Sequence, residues 1–465
     1  MINVQFFGAA QRVTGSKHML TAPSGMRILL DCGLFQGINT SDLNLNFGFE
    51  ASEVDVLLLS HAHIDHTGLI PRLVKKGFKG KIFCTAATKS LCEVMLMDSA
   101  KIQARDLERV NKRRANRSEE PLEILYEEEH VEQALALFET VQLESPFLLE
   151  ENVRVTFYNA GHLLGSAGIY VEFTDEGKSL FFTGDIGRPT DKILDSPSPF
   201  PQADYIICES TYGNKLHAAE VDMKAKLLEI VNHTCVEKKG KLIIPAFAVD
   251  RTQELVYALD QLVAEGSLPP IPVYVDSPLS VKATLIMRNH SEDFNDEILA
   301  YIKKEGDAFG FDNLHYITEV EESKKLNANT QPCIIISSSG MAEAGRVKHH
   351  IANTVEDAKN TILMVGYCSP NSLGHALKTG EKTVQIHGQE KTVRAEVAIM
   401  DSFSAHADYQ EIIAHLSCQD PKKVSCIYLV HGEIETQTAF KARLQDAGFG
   451  NVYIPAHHES VNLNV

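Results

Sequence analysis

Six consecutive residues, His61-Ala62-His63-Ile64-Asp65-His66, constrain this chain more than any other segment. They follow VDVLLLS at residues 54–60, a continuous apolar run of strand length that suits a sheet covered on both faces. They lead into residues 66–76, which read as a helix because Leu69, Ile70, Leu73 and Val74 recur at helical spacing. Where the chain is extended, His61 and His63 are two apart and their rings face one side. Asp65 and His66 stand at the turn into the helix and can point back into the same space. Three imidazoles and a carboxylate exceed what one tetrahedral zinc with an open position requires, so the run suits two adjacent cations. Nitrogen and oxygen donors without thiolate fit Zn2+, and also Mn2+ or Fe2+.

Further donors lie at predicted strand ends. His162 sits in a loop bracketed by Gly161 and Gly165, Asp185 closes Thr183-Gly184-Asp185, and His431 follows the apolar run Ile427-Tyr428-Leu429-Val430. A carboxylate such as Asp185 is the natural bridge between two cations. The bulk composition narrows what the chain can act on. With 44 Lys+Arg against 62 Asp+Glu the net charge is −18, which excludes a general electrostatic grip on nucleic acid. A polyanion must find a local basic patch. One basic run, Arg105, Arg109, Lys112, Arg113, Arg114 and Arg117, reads either as a solvated helix face or as a polyanion contact. The nine cysteines contain no CxxC, and the odd count gives no disulfide framework. With no signal-peptide pattern at the N-terminus, a reducing, cytoplasmic setting is expected. No apolar run approaches the roughly 20 residues that a bilayer demands, so no membrane association is expected.

The texture of the chain changes twice. Short strands and loops dominate the first part, among them residues 4–8, 18–22 and 27–31, while residues 87–140 read as helical and charged. From about 206, strands alternate with helices of 10 or more residues. Helices are expected near 217–238, 250–264 and 343–358, the second opened by Asp250 and Gln253 as a capping pair. After about 380 the strand-rich texture returns. This predicts one α/β domain built from both chain ends, interrupted by a parallel α/β domain, with boundaries 1–207, 208–390 and 391–465.

Asp31 in Leu30-Asp31-Cys32-Gly33, the HAHIDH run, His162 and Asp185 resemble, in order, motifs one to four of the metallo-β-lactamase superfamily. The resemblance implies an αββα sandwich with a dinuclear site at one edge. It implies that His61, His63 and His162 hold one zinc, that Asp65, His66 and a last His hold the other, and that Asp185 bridges. Asp31 would orient one of the ligands. The inserted region is similar to the β-CASP branch, a nucleic-acid processing group that includes ribonuclease J and the cleavage and polyadenylation endonuclease. Glu209 in Cys208-Glu209-Ser210-Thr211-Tyr212-Gly213 matches its motif A. His406 in Phe403-Ser404-Ala405-His406-Ala407-Asp408 matches motif B, and His431 in Leu429-Val430-His431-Gly432-Glu433 matches motif C and supplies the last ligand. The segments PAFAVDRTQE from Pro245, Asp276-Ser277-Pro278-Leu279 and Ser338-Ser339-Gly340-Met341 also resemble the branch, although Asp250 stands where relatives commonly carry Gly. The layout looks most like compact bacterial members that resemble the polyadenylation endonuclease.

The resemblance therefore implies a zinc-dependent ribonuclease that hydrolyses phosphodiester bonds of single-stranded RNA with two Zn2+ per chain. A hydroxide shared by the two metals would attack the phosphorus. His406, oriented by Glu209, would protonate the leaving 3′ oxygen, giving 3′-hydroxyl and 5′-phosphate ends. Asp31 and Asp65 complete the expected catalytic set. Ser337, Ser338, Ser339 and Gly340, ahead of a helix, would cradle a phosphate. Arg251, Arg346, Lys348, His349 and His350 would line the path of the strand. The alternatives are a DNA-directed nuclease of the same fold and a nuclease-inactive RNA-binding scaffold. Endonuclease and 5′-exonuclease modes both stay open, and a homodimer is compatible with the family.

Overall fold

In the computed structural model every residue is described except 38–39, 218–221, 367, 370–371, 401–404 and 464–465. Phe403 and Ser404 of the expected motif lie outside the described residues. The chain divides into two compact units, one of Met1–Leu216 with Ala405–Val465 and one of His217–Ser404.

The first unit is built on two seven-stranded sheets. One orders the strands Ser460–Asn462, Asn3–Phe6, His18–Thr21, Arg27–Leu30, Val56–Leu58, Lys81–Cys84 and Phe138–Thr140. The other orders Val452–Tyr453, Cys426–Val430, Tyr205–Glu209, Lys178–Phe182, Ala167–Phe173, Val153–Asn159 and Phe147–Glu150. Side chains alternate across each strand, and that period places the core. Tyr205, Ile207, Tyr428 and Val430 turn inward to meet Val4, Phe6, Ile28, Leu30, Val56 and Leu58 of the facing sheet. Their neighbours Ile206, Cys208, Ile427 and Leu429 turn outward onto Ile412 and Leu416 of helix Tyr409–Leu416 and Phe440 and Leu444 of helix Ile434–Asp446. The result is the αββα sandwich.

Parallel pairing aligns strand ends. Leu30 lies beside Leu58 in one sheet, and Phe182 lies beside Ile207 and Glu209 beside Val430 in the other. The C-terminal ends of Arg27–Leu30 and Val56–Leu58 therefore open next to one another and deliver Asp31 and the histidine run. The ends of Lys178–Phe182, Tyr205–Glu209 and Cys426–Val430 deliver Asp185, Glu209 and His431 in the same way.

The second unit carries a six-stranded sheet, Leu314–Tyr316, Val273–Val275, Cys333–Ser337, Lys241–Pro245, Thr361–Met364 and Glu396–Ile399, parallel throughout. Its strands Cys333–Ser337, Lys241–Pro245 and Thr361–Met364 are buried along their whole length, as the centre of a parallel sheet covered by helices requires. The junctions lie later than the sequence texture suggests, at 216/217 and 404/405. Tyr205–Glu209 is one uninterrupted strand of the first unit, and Glu396–Ile399 pairs with Thr361–Met364 in the second.

Three local expectations are corrected. Residues 66–76 are not one helix: Ile64–Thr67 and Ile70–Lys75 are separate, with Gly68 capping the first. Residues 87–140 hold a 30-residue helix, Ala86–Ala115, then a shorter helix Glu128–Leu135 and the edge strand Phe138–Thr140. Asp250 does not cap helix Arg251–Ala264, because its φ of +71° turns the side chain away from the first amides. Gln253 Nε2 instead donates to the Ala248 and Ser280 carbonyls and to Thr284 Oγ1. No described helix is long and apolar enough to cross a membrane.

Candidate metal centre

Two donor sets meet where the strand ends open. His61, His63, His162 and Asp185 form one, and Asp65, His66 and His431 the other. In the first set His63 Nδ1 lies 3.1 Å from His61 Nε2 and 3.2 Å from His162 Nε2. Asp185 Oδ2 lies 3.6 Å from both His61 Nε2 and His162 Nε2. In the second, His431 Nε2 lies 3.2 Å from His66 Nε2 and 3.3 Å from Asp65 Oδ2. Asp185 Oδ2 is also 3.4 Å from His66 Nε2, so this one oxygen borders both sets.

Hydrogen bonds on the far side of each ring decide which nitrogen faces inward. Ser60 Oγ donates to Asp31 Oδ2 at 2.8 Å, so it accepts from His61 Nδ1–H at 3.1 Å. Thr211 Oγ1 donates to the His431 carbonyl and accepts from His431 Nδ1–H at 2.9 Å. His162 Nδ1–H donates to the Ala405 carbonyl at 3.3 Å, and His66 Nδ1–H donates to Asp31 Oδ2 at 2.6 Å. In each case the proton is held outside and the Nε2 lone pair points into the site. With each ring in its neutral form, four lone pairs and two carboxylates face one another, an arrangement that cations neutralise. Asp185 Oδ1, on a side chain 2% exposed, has no hydrogen-bond partner at all. The donor set therefore fits divalent metal, and the outward partners are the kind that orient metal ligands.

For His61, His162 and His63 the charge states agree. Burial, with His66 next, holds His61 well below the ordinary imidazole range; burial, with His406 next, does the same to His162. Burial brings His63 down to about 4. His66 differs: burial lowers it, but Asp185 and Asp31 outweigh that and raise it well above the usual range. Asp65 sits at about 2 because the His431 bond and the charge of His66 overcome burial.

The backbone is strained where the site needs it. Asp31 and His431 adopt φ of +60° and +53°, in the left-handed region that non-glycine residues rarely enter. Gly33 is needed for another reason: a Cβ there would stand 1.5 Å from the Asp65 carbonyl oxygen. That contact lets the Asp31 loop press against the turn that carries Asp65 and His66. Beneath both loops the fully buried Lys17 donates to the carbonyls of Gly15 and Gly33 at 3.2 and 2.9 Å, and burial drops its pKa to about 8.

His406 and Glu209 stand beside the donor sets. His406 Nδ1 is 3.1 Å and 3.2 Å from the two Glu209 oxygens and 3.9 Å from Asp185 Oδ2. Glu209 is fully buried and accepts from the Ile186 amide at 2.6 Å and the Thr211 amide at 3.3 Å. Burial pulls His406 down, but the Glu209 and then the Asp185 carboxylates lift it to about 9. These carboxylates favour the protonated ring, with Nε2 on the side away from Glu209. A β-bridge to Gly187 and the capped start of helix Tyr409–Leu416 fix its backbone.

The residues expected along a strand path lie in the second unit. Ser337 is buried and donates to the Asp276 carbonyl at 2.7 Å; Ser338 Oγ meets Ser277 Oγ at 2.8 Å. Gly340 packs so closely that a Cβ would come within 2.9 Å of the Phe247 ring. Arg251 pairs with Glu254 and Asp250. Arg346 bonds Asp276 Oδ1 at 2.6 Å and the Ile317 and Thr318 carbonyls, and His350 bonds Asp276 Oδ2 at 2.6 Å. These side chains hold the unit together. His349 is exposed and stacks on His387 with ring centres 4.3 Å apart. Sequence reasoning missed Ser60, Thr211 and the Ala405 carbonyl. Their only signal is adjacency to the histidine run and to Glu209 and His406, because hydroxyls and carbonyls are too common to stand out.

Comparison with known proteins agrees with this geometry. Residues 20–207 match a metallo-beta-lactamase superfamily domain, residues 252–377 a Beta-Casp domain, and residues 390–455 a Zn-dependent metallo-hydrolase RNA specificity domain. The chain is 35% identical to "Ribonuclease TTHA0252" of Thermus thermophilus over 92% of its length and 93% of that protein. It is 31% identical to an "RNase J-like protein" of Methanocaldococcus jannaschii, covering 93% of each chain. It is 32% identical to "Cleavage and polyadenylation specificity factor 73" of Drosophila melanogaster, over 96% of this chain and 62% of that one. A crystal structure from Enterococcus faecalis titled as a protein of unknown function shares the fold at 10% identity, with a TM-score of 0.54 over 99% of both chains.

Proposed function

Because the chain belongs to the β-CASP branch of the metallo-β-lactamase superfamily, we propose that it is a metal-dependent ribonuclease that hydrolyses phosphodiester bonds of single-stranded RNA. The observation that carries the reading is the convergence of inward-facing lone pairs at the strand ends, with each ring's proton held on the outside. His61, His63 and His162 would hold one Zn2+, Asp65, His66 and His431 a second, with Asp185 shared. Divalent ions held there would supply Lewis acidity to the scissile phosphate and would lower the pKa of water towards neutrality from about 15.7.

The chain's own residues do the rest. Asp31 and Ser60 hold His66 and His61 in the tautomers that bind a cation; both are positioning residues. Glu209 fixes His406 through Nδ1, so the proton on Nε2 is presented to the leaving 3′ oxygen. A water oxygen adds to phosphorus and gives up its proton to solvent while the P–O3′ bond breaks and O3′ takes the His406 proton, which yields a 3′-hydroxyl and a 5′-phosphate. The test gives zinc-loaded protein labelled single-stranded RNA and matched DNA. RNA is cut, DNA is cut more slowly, and His63→Ala abolishes cutting while circular dichroism stays native. Cutting of DNA alone, or full activity in His63→Ala, overturns the reading. The homodimer compatible with the family is read from the solution mass of the same preparation.

A further inference from the structure

Helix Ala86–Ala115 is buried along one side at its start and only half-buried on one face towards its end. Thr85 and Thr88 hydroxyls donate to the Gly165 carbonyl at 2.7 and 2.8 Å, pinning the first turn to the loop that carries His162. Its buried residues, Ala87, Thr88, Leu91, Cys92, Met95, Leu96 and Ala100, all lie in the first half. Past Ala100 one face remains covered. Gln103 bonds the Tyr126 hydroxyl at 2.9 Å, Asn111 bonds the Leu122 amide and carbonyl, and Arg114 bonds the Glu120 carbonyl. The half-buried residues there are Gln103, Leu107, Asn111 and Arg114.

At 100° per residue, Lys101, Arg105, Arg109, Lys112 and Arg113 fall roughly opposite that covered face. All five are exposed. They form a basic row about 18 Å long, with Arg117 just past the helix end. The acidic neighbours do not neutralise it. Lys101 meets Glu128 at 3.5 Å, Asp106 meets Arg109 at 3.5 Å and Glu108 meets Lys112 at 2.6 Å, with every side chain in these pairs at least 52% exposed. Such solvated pairs contribute about 0–1 kcal/mol and yield readily to a phosphate. In a chain of net charge −18, a straight cationic row on a helix cannot reflect general composition.

We propose that this face of helix Ala86–Ala115 is an RNA-docking surface, where Arg105, Arg109, Lys112 and Arg113 grip phosphates of the substrate strand away from the metal centre. The inference rests on the ribonuclease reading above. A linear row of cations fits a linear polyanion better than a compact acidic surface. Arg105 lies about 28 Å along the axis from the end pinned to the His162 loop, so at roughly 3.4 Å per stacked nucleotide only RNA longer than about 8 nucleotides benefits.

The test compares the full zinc-loaded chain with the triple variant Arg105→Gln/Arg109→Gln/Arg113→Gln. The substrates are single-stranded RNAs of about 6 and about 40 nucleotides, assayed across a salt series. On the long RNA KM rises about tenfold, and the slope of log affinity against log salt falls by about 2, at roughly 0.7 per lost phosphate contact. Cleavage of the short RNA is unchanged. The Arg→Lys triple variant keeps the long-RNA affinity, since charge is the operative property. An unchanged KM and slope on the long RNA, or equal loss in the Lys variant, overturns the proposal. Retention of the parent on phosphatidylserine vesicles that is lost in the Gln variant, with RNA affinity unchanged, assigns the face to a lipid surface and also overturns it. If the parent cuts neither RNA, the ribonuclease reading fails instead, and filter retention of the long RNA still decides the docking surface.

Discussion

Asp31→Asn tests the account at a residue that touches neither metal nor substrate. The Asp31 carboxylate accepts from Ser60 N at 2.8 Å through Oδ1, and from Ser60 Oγ at 2.8 Å and His66 Nδ1–H at 2.6 Å through Oδ2. Its side chain is fully buried. An Asn of the same shape keeps its carbonyl on the Ser60 amide, so its NH2 faces His66. The imidazole must then accept at Nδ1 and carry its proton on Nε2, the atom 3.2 Å from His431 Nε2. That tautomer cannot bind a cation. Losing an orienting partner of this kind typically costs 10- to 100-fold in metal affinity, or about 1.4–2.7 kcal/mol. Exchanging a charged buried hydrogen bond for a neutral one removes about 1–3 kcal/mol of folding stability besides. Zinc release into a chromogenic chelator reads the effect. Wild-type protein should resist the chelator, while Asp31→Asn gives up about one ion per chain early, and its RNA cleavage recovers with excess zinc. Equal chelator resistance in the two proteins would refute the tautomer argument.

Other expected outcomes follow from the same geometry. His406→Ala lowers kcat on ordinary RNA by about 10²–10⁴, but not on RNA whose leaving 3′ oxygen is replaced by sulphur, which needs no proton; equal loss on both substrates removes the general-acid role. Lys17 has its pKa drawn from 10.5 to about 8 by burial, so between those values the unfolded chain holds a proton the native one has released. Stability therefore rises with pH across that window, by at most about 3 kcal/mol, and urea titrations should show the rise in the parent but not in Lys17→Met. Gly33→Ala places a methyl against the Asp65 carbonyl and should lower Tm and zinc content together; a native Tm would show that the loop can move aside.

The sequence makes the site legible and its supports obscure. The histidine run stands out because four ligating residue types crowd into six positions at the end of an apolar strand. Asp185 and His431 are readable because each follows an apolar strand, and both strands pair in parallel with Tyr205–Glu209. The partners that set each tautomer are ordinary polar atoms, and the fold alone brings Ala405 to His162. Arg251 and Arg346 show what the sequence does not disclose, their partners inside the unit. Basic residues near a glycine-serine loop suggest phosphate contact, yet Glu254 and Asp276 take up their guanidinium groups inside the unit. The Asp250–Gln253 pair has the pattern of a cap, but a left-handed φ overrides it. The later domain junctions are a matter of tertiary pairing: nothing local marks Glu396–Ile399 as belonging to the preceding sheet.

The central claim is that the two donor sets each hold a divalent cation and share Asp185. Anomalous diffraction at the zinc edge from crystals of the zinc-loaded protein tests it most directly. The account predicts two peaks per chain, one within about 2.0–2.2 Å of His61, His63 and His162 and one equally close to Asp65, His66 and His431, with Asp185 reaching both. A single peak, or zinc bound elsewhere while both sets stay empty, would contradict it.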